Sequence, residues 1–329
     1  MTPSAIIQGL QVTRDDLLLK RQRIECGELT SWTRYASAHH VHNSFPRELI
    51  LNYGLRALGL YERGARNARQ PAINPISFTF DTLPDAFDGF TILHLTDLHA
   101  DGVPGLADYL VQILGGLEVD LCVITGDFRF DTKGPCQQVY PPMARILSGI
   151  NAHHGIVGVL GNHDQLEMAA GLEELGMKIL LNEAITLSQS GDRLCLAGVD
   201  DPHHYGCADI SVALGNTPRD AFTLLLAHTP ELYAEAAAHD IDLYLCGHTH
   251  GGQICLPFLG PIITNATCPR PYSRGSWRHG PVQGYTNVGA GSSGVPVRFF
   301  CPPEVGLITL RRSSSQRARS RSSALEHHL

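Results

Sequence analysis

Five short blocks of this 329-residue chain carry side chains able to hold cations, and each follows directly on a short apolar run. Thr96-Asp97-Leu98-His99 follows residues 91–95, Gly126-Asp127 follows 121–125, and Gly161-Asn162-His163-Asp164 follows 156–160. His228 follows 222–227, and Gly247-His248-Thr249-His250-Gly251-Gly252 follows 241–246. Carboxylate, amide carbonyl and neutral imidazole, with no thiolate among them, make a mixed oxygen and nitrogen donor set. Such a set suits Mn, Fe, Zn or Co better than a closed structural zinc site. In Asp97-x-His99 and His248-x-His250 the spacing of two puts both side chains on one side of a locally extended segment. Gly126, Gly161, Gly247 and Gly251 permit tight turns and close approach of backbone to a bound anion. Asp127 is a single carboxylate placed to bridge two cations, and two metals about 3.5–4 Å apart would clamp a phosphate and activate a water between them.

Elements of the right kind stand ready to position these blocks. From Phe90 onward short apolar runs alternate with helix-compatible stretches, and strands are predicted at 91–95, 121–125, 156–160, 178–181, 194–198, 222–227 and 241–246. Later runs at 285–288 and 306–310 would complete a sheet. Most of these runs are continuous rather than alternating, as in strands covered on both faces. In open α/β sheets, ligands gather beyond the carboxyl ends of the strands. Taken singly, His228 reads more simply as a core histidine, Asp97 as a helix cap and Asn162 as a turn residue. The same ligand types recurring at five strand ends favour a common site.

In order and spacing these blocks resemble the motif set of the calcineurin-like metallophosphoesterases, from about Phe90 to Gly289. The last block, continued by Gln253 and residues 254–257, is similar to the bacterial branch of YkuE- and YaeI-type phosphodiesterases. The resemblance implies a four-layer α/β sandwich in which two mixed sheets are flanked by helices. It implies that Asp97, His99 and His250 hold one divalent metal and Asn162, His228 and His248 a second, manganese favoured, with Asp127 shared by both. His163 would protonate the leaving oxygen as a general acid and Asp164 would orient its imidazole. The reaction implied is in-line attack of a metal-bound hydroxide on a phosphodiester or phosphomonoester. A pyrophosphate of UDP-2,3-diacylglucosamine type, carried on a lipid, is the alternative substrate. A non-catalytic metal-binding platform is the rival from another class, and it is disfavoured because every ligand position and His163 are filled.

Outside these blocks the chemistry is plainer. Asp101, Asp200 and Asp201 read as loop and cap residues, and His203 and His204 as exposed loop histidines in preference to residues lining the substrate cleft. Arg129, in Phe128-Arg129-Phe130, reads equally as a phosphate contact or as an exposed loop arginine. The net charge is -7, and the catalytic span has no basic stripe with interleaved aromatics, so sequence-specific nucleic-acid binding is not expected. Nine cysteines without paired spacing suit a reducing compartment. With no signal-like or membrane-spanning run, a cytoplasmic protein is expected. Residues 1–85 form a predicted helical extension that packs on the core or rests on the inner face of a membrane. Leu51, Leu55 and Leu58 fall there at helical spacing, with Tyr53, Leu60 and Tyr61 at the edge. Residues 86–311 would form the phosphoesterase domain, and the Ser/Arg-rich residues 312–329 a disordered tail.

Overall fold

The computed structural model describes residues 12–31 and 45–313, apart from Asn216, Arg219 and Ile262. The tail expected to be disordered falls outside these residues from Ser314 onward. In chain order the strands of the first half are β1 (Ala72–Phe80), β2 (Thr91–Leu95), β3 (Glu118–Val119), β4 (Leu121–Thr125), β5 (Asn151–Ala152), β6 (Ile156–Val159), β7 (Met177–Ile179) and β8 (Glu183–Gln189). Those of the second half are β9 (Asp192–Gly198), β10 (Thr223–Leu226), β11 (Leu243–Cys246), β12 (Cys255–Leu256), β13 (Gly260–Pro261), β14 (Gly275–His279), β15 (Val282–Thr286) and β16 (Glu304–Arg312). Two six-stranded sheets result, ordered β1-β16-β2-β4-β6-β7 and β14-β15-β11-β10-β9-β8. Both are mixed: β2, β4, β6 and β7 run parallel, as do β9, β10, β11 and β15, while β16 is antiparallel to β2, β14 to β15 and β8 to β9.

Period-two alternation along each strand builds the layers. Leu121 and Val123 of β4 point inward with Ile92, Leu224, Leu226 and Leu245, closing one core between the two sheets. Their neighbours Cys122 and Ile124 point outward, against α4 (Leu106–Leu114), α5 (Tyr140–Ser148) and α6 (Met168–Glu174). Leu225 and Tyr244 do the same on the second sheet, against α7 (Ile210–Leu214) and α8 (Tyr233–Ala238). Continuous apolar strands are the consequence of covering each sheet on both faces. The architecture is therefore the expected four-layer α/β sandwich.

The N-terminal region departs from the expected helical extension to residue 85. α1 (Arg14–Glu25), α2 (Phe45–Ala57) and α3 (Tyr61–Ala68) are helices, but β1 is a strand built into the first sheet, in parallel register with β16 from Ala72↔Glu304 to Phe80↔Arg312. Asn74 and Pro75 interrupt its apolar pattern, and a proline is tolerated there because β1 lies at the sheet edge. α1 begins with a capping box, in which Thr13 Oγ1 accepts from Asp16 N and the Asp16 carboxylate accepts from Thr13 N at 3.0 Å. No described helix is long and apolar enough to cross a membrane.

Candidate metal centre

The turns after β2, β4 and β6 carry Asp97, His99, Asp127 and Asn162 out of the first sheet, and those after β10 and β11 carry His228, His248 and His250 out of the second. All seven side chains meet where the two sheets' carboxyl ends face each other. Asp97, His99, Asp127, His248 and His250 have φ between 40° and 71°, the left-handed region that costs a non-glycine residue energy. Backbone of this kind persists where surrounding structure holds it for a purpose. Two glycines are required by crowding: a Cβ on Gly161 would collide with the Asp127 carboxylate, and one on Gly247 with Thr96 Oγ1 and Asp97 Oδ2.

The proton positions follow from outer partners. His99 donates Nδ1–H to the Arg129 carbonyl at 2.7 Å, leaving its Nε2 lone pair 3.2 Å from His250 Nε2 and 3.7 Å from Asp127 Oδ2. Asp97 Oδ2 accepts from His248 N and from Thr96 Oγ1, each at 2.8 Å. Asp97 Oδ1 is buried without a hydrogen bond and lies 3.2 Å from His250 Nε2. In the second cluster His228 donates Nδ1–H to the Thr125 carbonyl at 2.7 Å and His248 donates Nε2–H to the Asn265 carbonyl at 3.0 Å. The remaining His228 Nε2 then faces Asn162 Oδ1 at 3.0 Å, His248 Nδ1 at 3.2 Å and Asp127 Oδ2 at 3.3 Å. Lone pairs are turned on lone pairs in a buried space, an arrangement that neutral side chains leave unsatisfied and a cation satisfies. Asp127 Oδ2 belongs to both clusters, while its Oδ1 accepts from His163 N at 2.9 Å. The donor set thus fits divalent metal.

Protein electrostatics point the same way. Burial holds His99 down at about 3 and keeps His248 and His250 well below the usual imidazole range, so these rings are neutral. Burial raises Asp97 to about 6. Asp127 is held well below the carboxylate range, because the adjacent His228 and His163 outweigh its burial. Burial also opposes charge on His228, yet the Asp127 carboxylate prevails and pushes that ring up to about 10. Without metal, a proton on His228 stands in for part of the missing positive charge.

His163 lies at the edge of the cluster, with its ring centroid 4.7 Å from that of His99 and its Nε2 3.9 Å from Asp127 Oδ2. Asp164 does not orient it, contrary to expectation. The His163 Nδ1–H is donated to the Phe130 carbonyl at 2.6 Å, and Asp101 in turn accepts from Phe130 N at 2.7 Å. The Asp164 carboxylate turns the other way and accepts from the backbone N–H groups of Asp127, Gly161 and Phe128 at 2.8, 2.8 and 2.9 Å. It ties two site loops together, because the tight turn after β6 points its side chain at their exposed amides.

Two further readings change. His203 is buried rather than exposed: its ring packs 4.4 Å from that of His248 and its Nδ1 meets Glu231 Oε1 at 3.0 Å, while His204 is half-buried. Asp200 and Asp201 are buried loop residues, Asp201 accepting from the backbone N–H groups of His203, His204 and Tyr205 at 3.2, 2.6 and 2.8 Å, in keeping with a capping role. Arg129 is also buried, its guanidinium turned to the carbonyls of Asp131 and Gly134 and to Gln165 Oε1, so it is neither an exposed loop residue nor aimed at the cluster. Sequence reasoning missed Arg298, whose Nη2 lies 3.2 Å from His250 Nδ1, and Arg21 of α1, which donates to the Asp164 carbonyl at 2.6 Å. Neither carries a local signal, since each reaches its partner across a long stretch of chain.

Residues 90–252 match the model of the calcineurin-like phosphoesterase family. The chain is 34% identical over 246 residues to the metallophosphoesterase YkuE of Bacillus subtilis, covering 70% of this chain and 82% of that protein. It is 30% identical over 230 residues to the phosphodiesterase YaeI of Escherichia coli, covering 67% and 82% respectively. A solved 5'-nucleotidase precursor from Thermus thermophilus aligns with a TM-score of 0.37 at 14% identity, over 67% of this chain and 54% of that one.

Proposed function

This chain belongs to the calcineurin-like phosphoesterase family, so it is a metal-dependent phosphoester hydrolase, and on that premise we propose that it cleaves a phosphodiester at a two-metal centre. The observation that carries the two-metal reading is the position of Asp127 Oδ2, within 3.3 Å of His228 Nε2 on one side and 3.7 Å of His99 Nε2 on the other. Asp97, His99 and His250 would hold one cation, Asn162, His228 and His248 the other, and Asp127 both. The bound cations supply Lewis acidity, lowering the pKa of water and offsetting charge on the phosphoryl oxygens.

The chain's own residues do the rest. The carbonyls of Arg129, Thr125 and Asn265 fix which nitrogens of His99, His228 and His248 present lone pairs, whereas Arg298, which can only donate, faces Nδ1 of His250 at 3.2 Å. An incoming water forms its bond to phosphorus and gives up a proton to solvent while the opposite P–O ester bond breaks, and the departing oxygen takes a proton from Nε2 of a His163 ring that carries protons on both nitrogens. The Phe130 carbonyl accepts the Nδ1–H and keeps the ring in an orientation that leaves the Nε2 proton free to be transferred. The convergence of every ligand position supports turnover over a non-catalytic platform. The phosphodiester preference draws on the similarity to the phosphodiesterase YaeI.

Titrating the purified, chelator-treated protein with Mn²⁺ while following hydrolysis of bis(4-nitrophenyl) phosphate tests this reading. Two equivalents taken up, with turnover appearing as the second binds, is the expected result. One equivalent giving full activity would overturn the two-metal proposal, and faster cleavage of 4-nitrophenyl phosphate would overturn the diester preference.

A further inference from the structure

Large apolar side chains left in water gather on one part of the molecule. On α2 and the turn after it Ile50, Tyr53 and Leu58 are exposed; Phe258 and Leu259 form the tip of the β12–β13 hairpin, and the exposed Phe300 follows Phe299, which pairs with Ile254 ahead of that hairpin. Phe258 is wholly exposed and also has φ 65°, a costly backbone for a bulky residue. Two unfavourable features on one tip residue point to a use for the tip.

Helix and hairpin hang from a common anchor. Leu55, Ala65, Val295 and Val297 form a buried cluster against Ile254 and Phe299. Ile254, which leads into the hairpin, pairs with Phe299, and Arg298 N donates to the Gly64 carbonyl of α3 at 3.0 Å. The same segments border the metal centre: Arg298 lies against His250, His248 donates to the Asn265 carbonyl, and Glu48 in the first turn of α2 stands close enough to His163 for their charges to interact.

The charge around this face is opposite to that of the chain. On a chain of net charge -7, no Asp or Glu occurs between Asp242 and Glu304, whereas Arg270, Arg274 and Arg278 are exposed there. On α2 and α3, Arg56, Arg63, Arg66 and Arg69 are exposed against Glu62. Exposed apolar side chains on segments that carry exposed guanidinium groups and few carboxylates suit a deformable apolar medium under a negative surface. A two-fold contact with a second copy would bring the same positive segments against themselves.

We propose that the α2 face and the β12–β13 hairpin tip dock on an anionic lipid bilayer and hold the metal centre at the lipid–water interface. The docking half is independent of the hydrolase reading; only the consequence, that phosphoesters carried at that interface are the accessible substrates, rests on it. Co-sedimentation of the full chain with vesicles of phosphatidylglycerol, against vesicles of phosphatidylcholine alone, tests the docking. Binding to the anionic vesicles only is expected, weakened by raised salt and reduced about tenfold by Phe258→Asp or, independently, by Ile50→Asp. Failure to bind, equal binding to both vesicles, or indifference to both substitutions would overturn it. So would a concentration-dependent dimer that either substitution abolishes. Both variants should hydrolyse soluble bis(4-nitrophenyl) phosphate at the unsubstituted rate. Loss of hydrolysis by the unsubstituted protein alongside intact vesicle binding would sink the hydrolase reading alone.

Discussion

Asp127 concentrates the chemistry of the site into one oxygen, and Asp127→Asn tests that at the level of a single atom. The substituted amide would keep one acceptor but could turn an N–H₂ among lone pairs from His99 and His228, where Asp127 Oδ2 now lies. Removing a partner that merely orients a metal ligand costs about 10–100-fold in affinity, so losing a shared ligand should cost more than about a hundredfold. Calorimetric titration with Mn²⁺ measures this, and two intact sites in Asp127→Asn would contradict the assignment. The proton on His228 gives a second check. Its pKa of about 10 in the metal-free protein lies above the ordinary 6.5, so the stabilisation from its charge is full below 6.5 and is lost as pH rises through about 10. A cation takes the place of that proton, so Mn²⁺ binding should release close to one proton near pH 8. Affinity should then rise by up to about tenfold per pH unit below 10. Isothermal titration in buffers of different ionisation enthalpy reads the release directly; none released would mean that His228 does not bind metal. The candidate ligands were legible in the sequence because type and order recur at strand ends. His203 was not, since only the fold brings Glu231 to its ring and sets both beside His248.

Elements differ in how openly the sequence declares them. β2, β4, β10 and β11 show as apolar runs because helices cover one face and the opposite sheet the other. β1 was hidden by Asn74 and Pro75, and its strand character depends on β16, at the far end of the chain. α1 was visible as a helix, but its role was not. Its buried Arg21 pairs with Asp200 and Glu25, stacks 3.7 Å from the Tyr205 ring and donates to the Asp164 carbonyl. Glu25 accepts from Leu166 N at 2.9 Å, so one helix grips the turn after β6 on both sides of Gln165. Through the Asp164 carboxylate that grip reaches Asp127 N. Arg21→Ala should therefore act on the site as well as on stability. Stranding Asp200 in the interior should cost about 3–5 kcal/mol in urea unfolding. A loosened turn should lower kcat about tenfold with little change in KM. Arg21→Lys should recover only part of either, because an ammonium cannot keep a planar stack and a fork of hydrogen bonds together. A stability loss with kcat unchanged would leave α1 as a brace and nothing more.

On the scale of the molecule, the metal centre joins two sheets that an apolar core and several hydrogen bonds also connect. Asp97, His99, Asp127 and Asn162 come from the first sheet and His228, His248 and His250 from the second, so each proposed cation site has ligands from both. Without a cation that seam is held by the core and by hydrogen bonds such as Tyr285 Oη to Glu304 Oε1 at 2.6 Å and Asn287 Nδ2 to the His94 carbonyl at 2.9 Å, while Asn162, His248 and Asp127 crowd His228 Nε2 at 3.0–3.3 Å there. Metal should therefore stabilise the fold as well as equip it. An ion present at a hundredfold its Kd adds about 2.7 kcal/mol. For a body of this size, with an unfolding entropy of about 2.1 cal/mol/K per residue, that corresponds to roughly 4 °C in Tm. Thermal unfolding of the chelator-treated protein, repeated with excess Mn²⁺, should show that rise. The rise should shrink in Asp127→Asn, where the seam loses the oxygen common to both clusters. A Tm indifferent to metal would mean that the sheets need no ion between them. An undiminished rise in that variant would place the stabilising ion away from Asp127, and with it the proposed shared ligand would have to be abandoned.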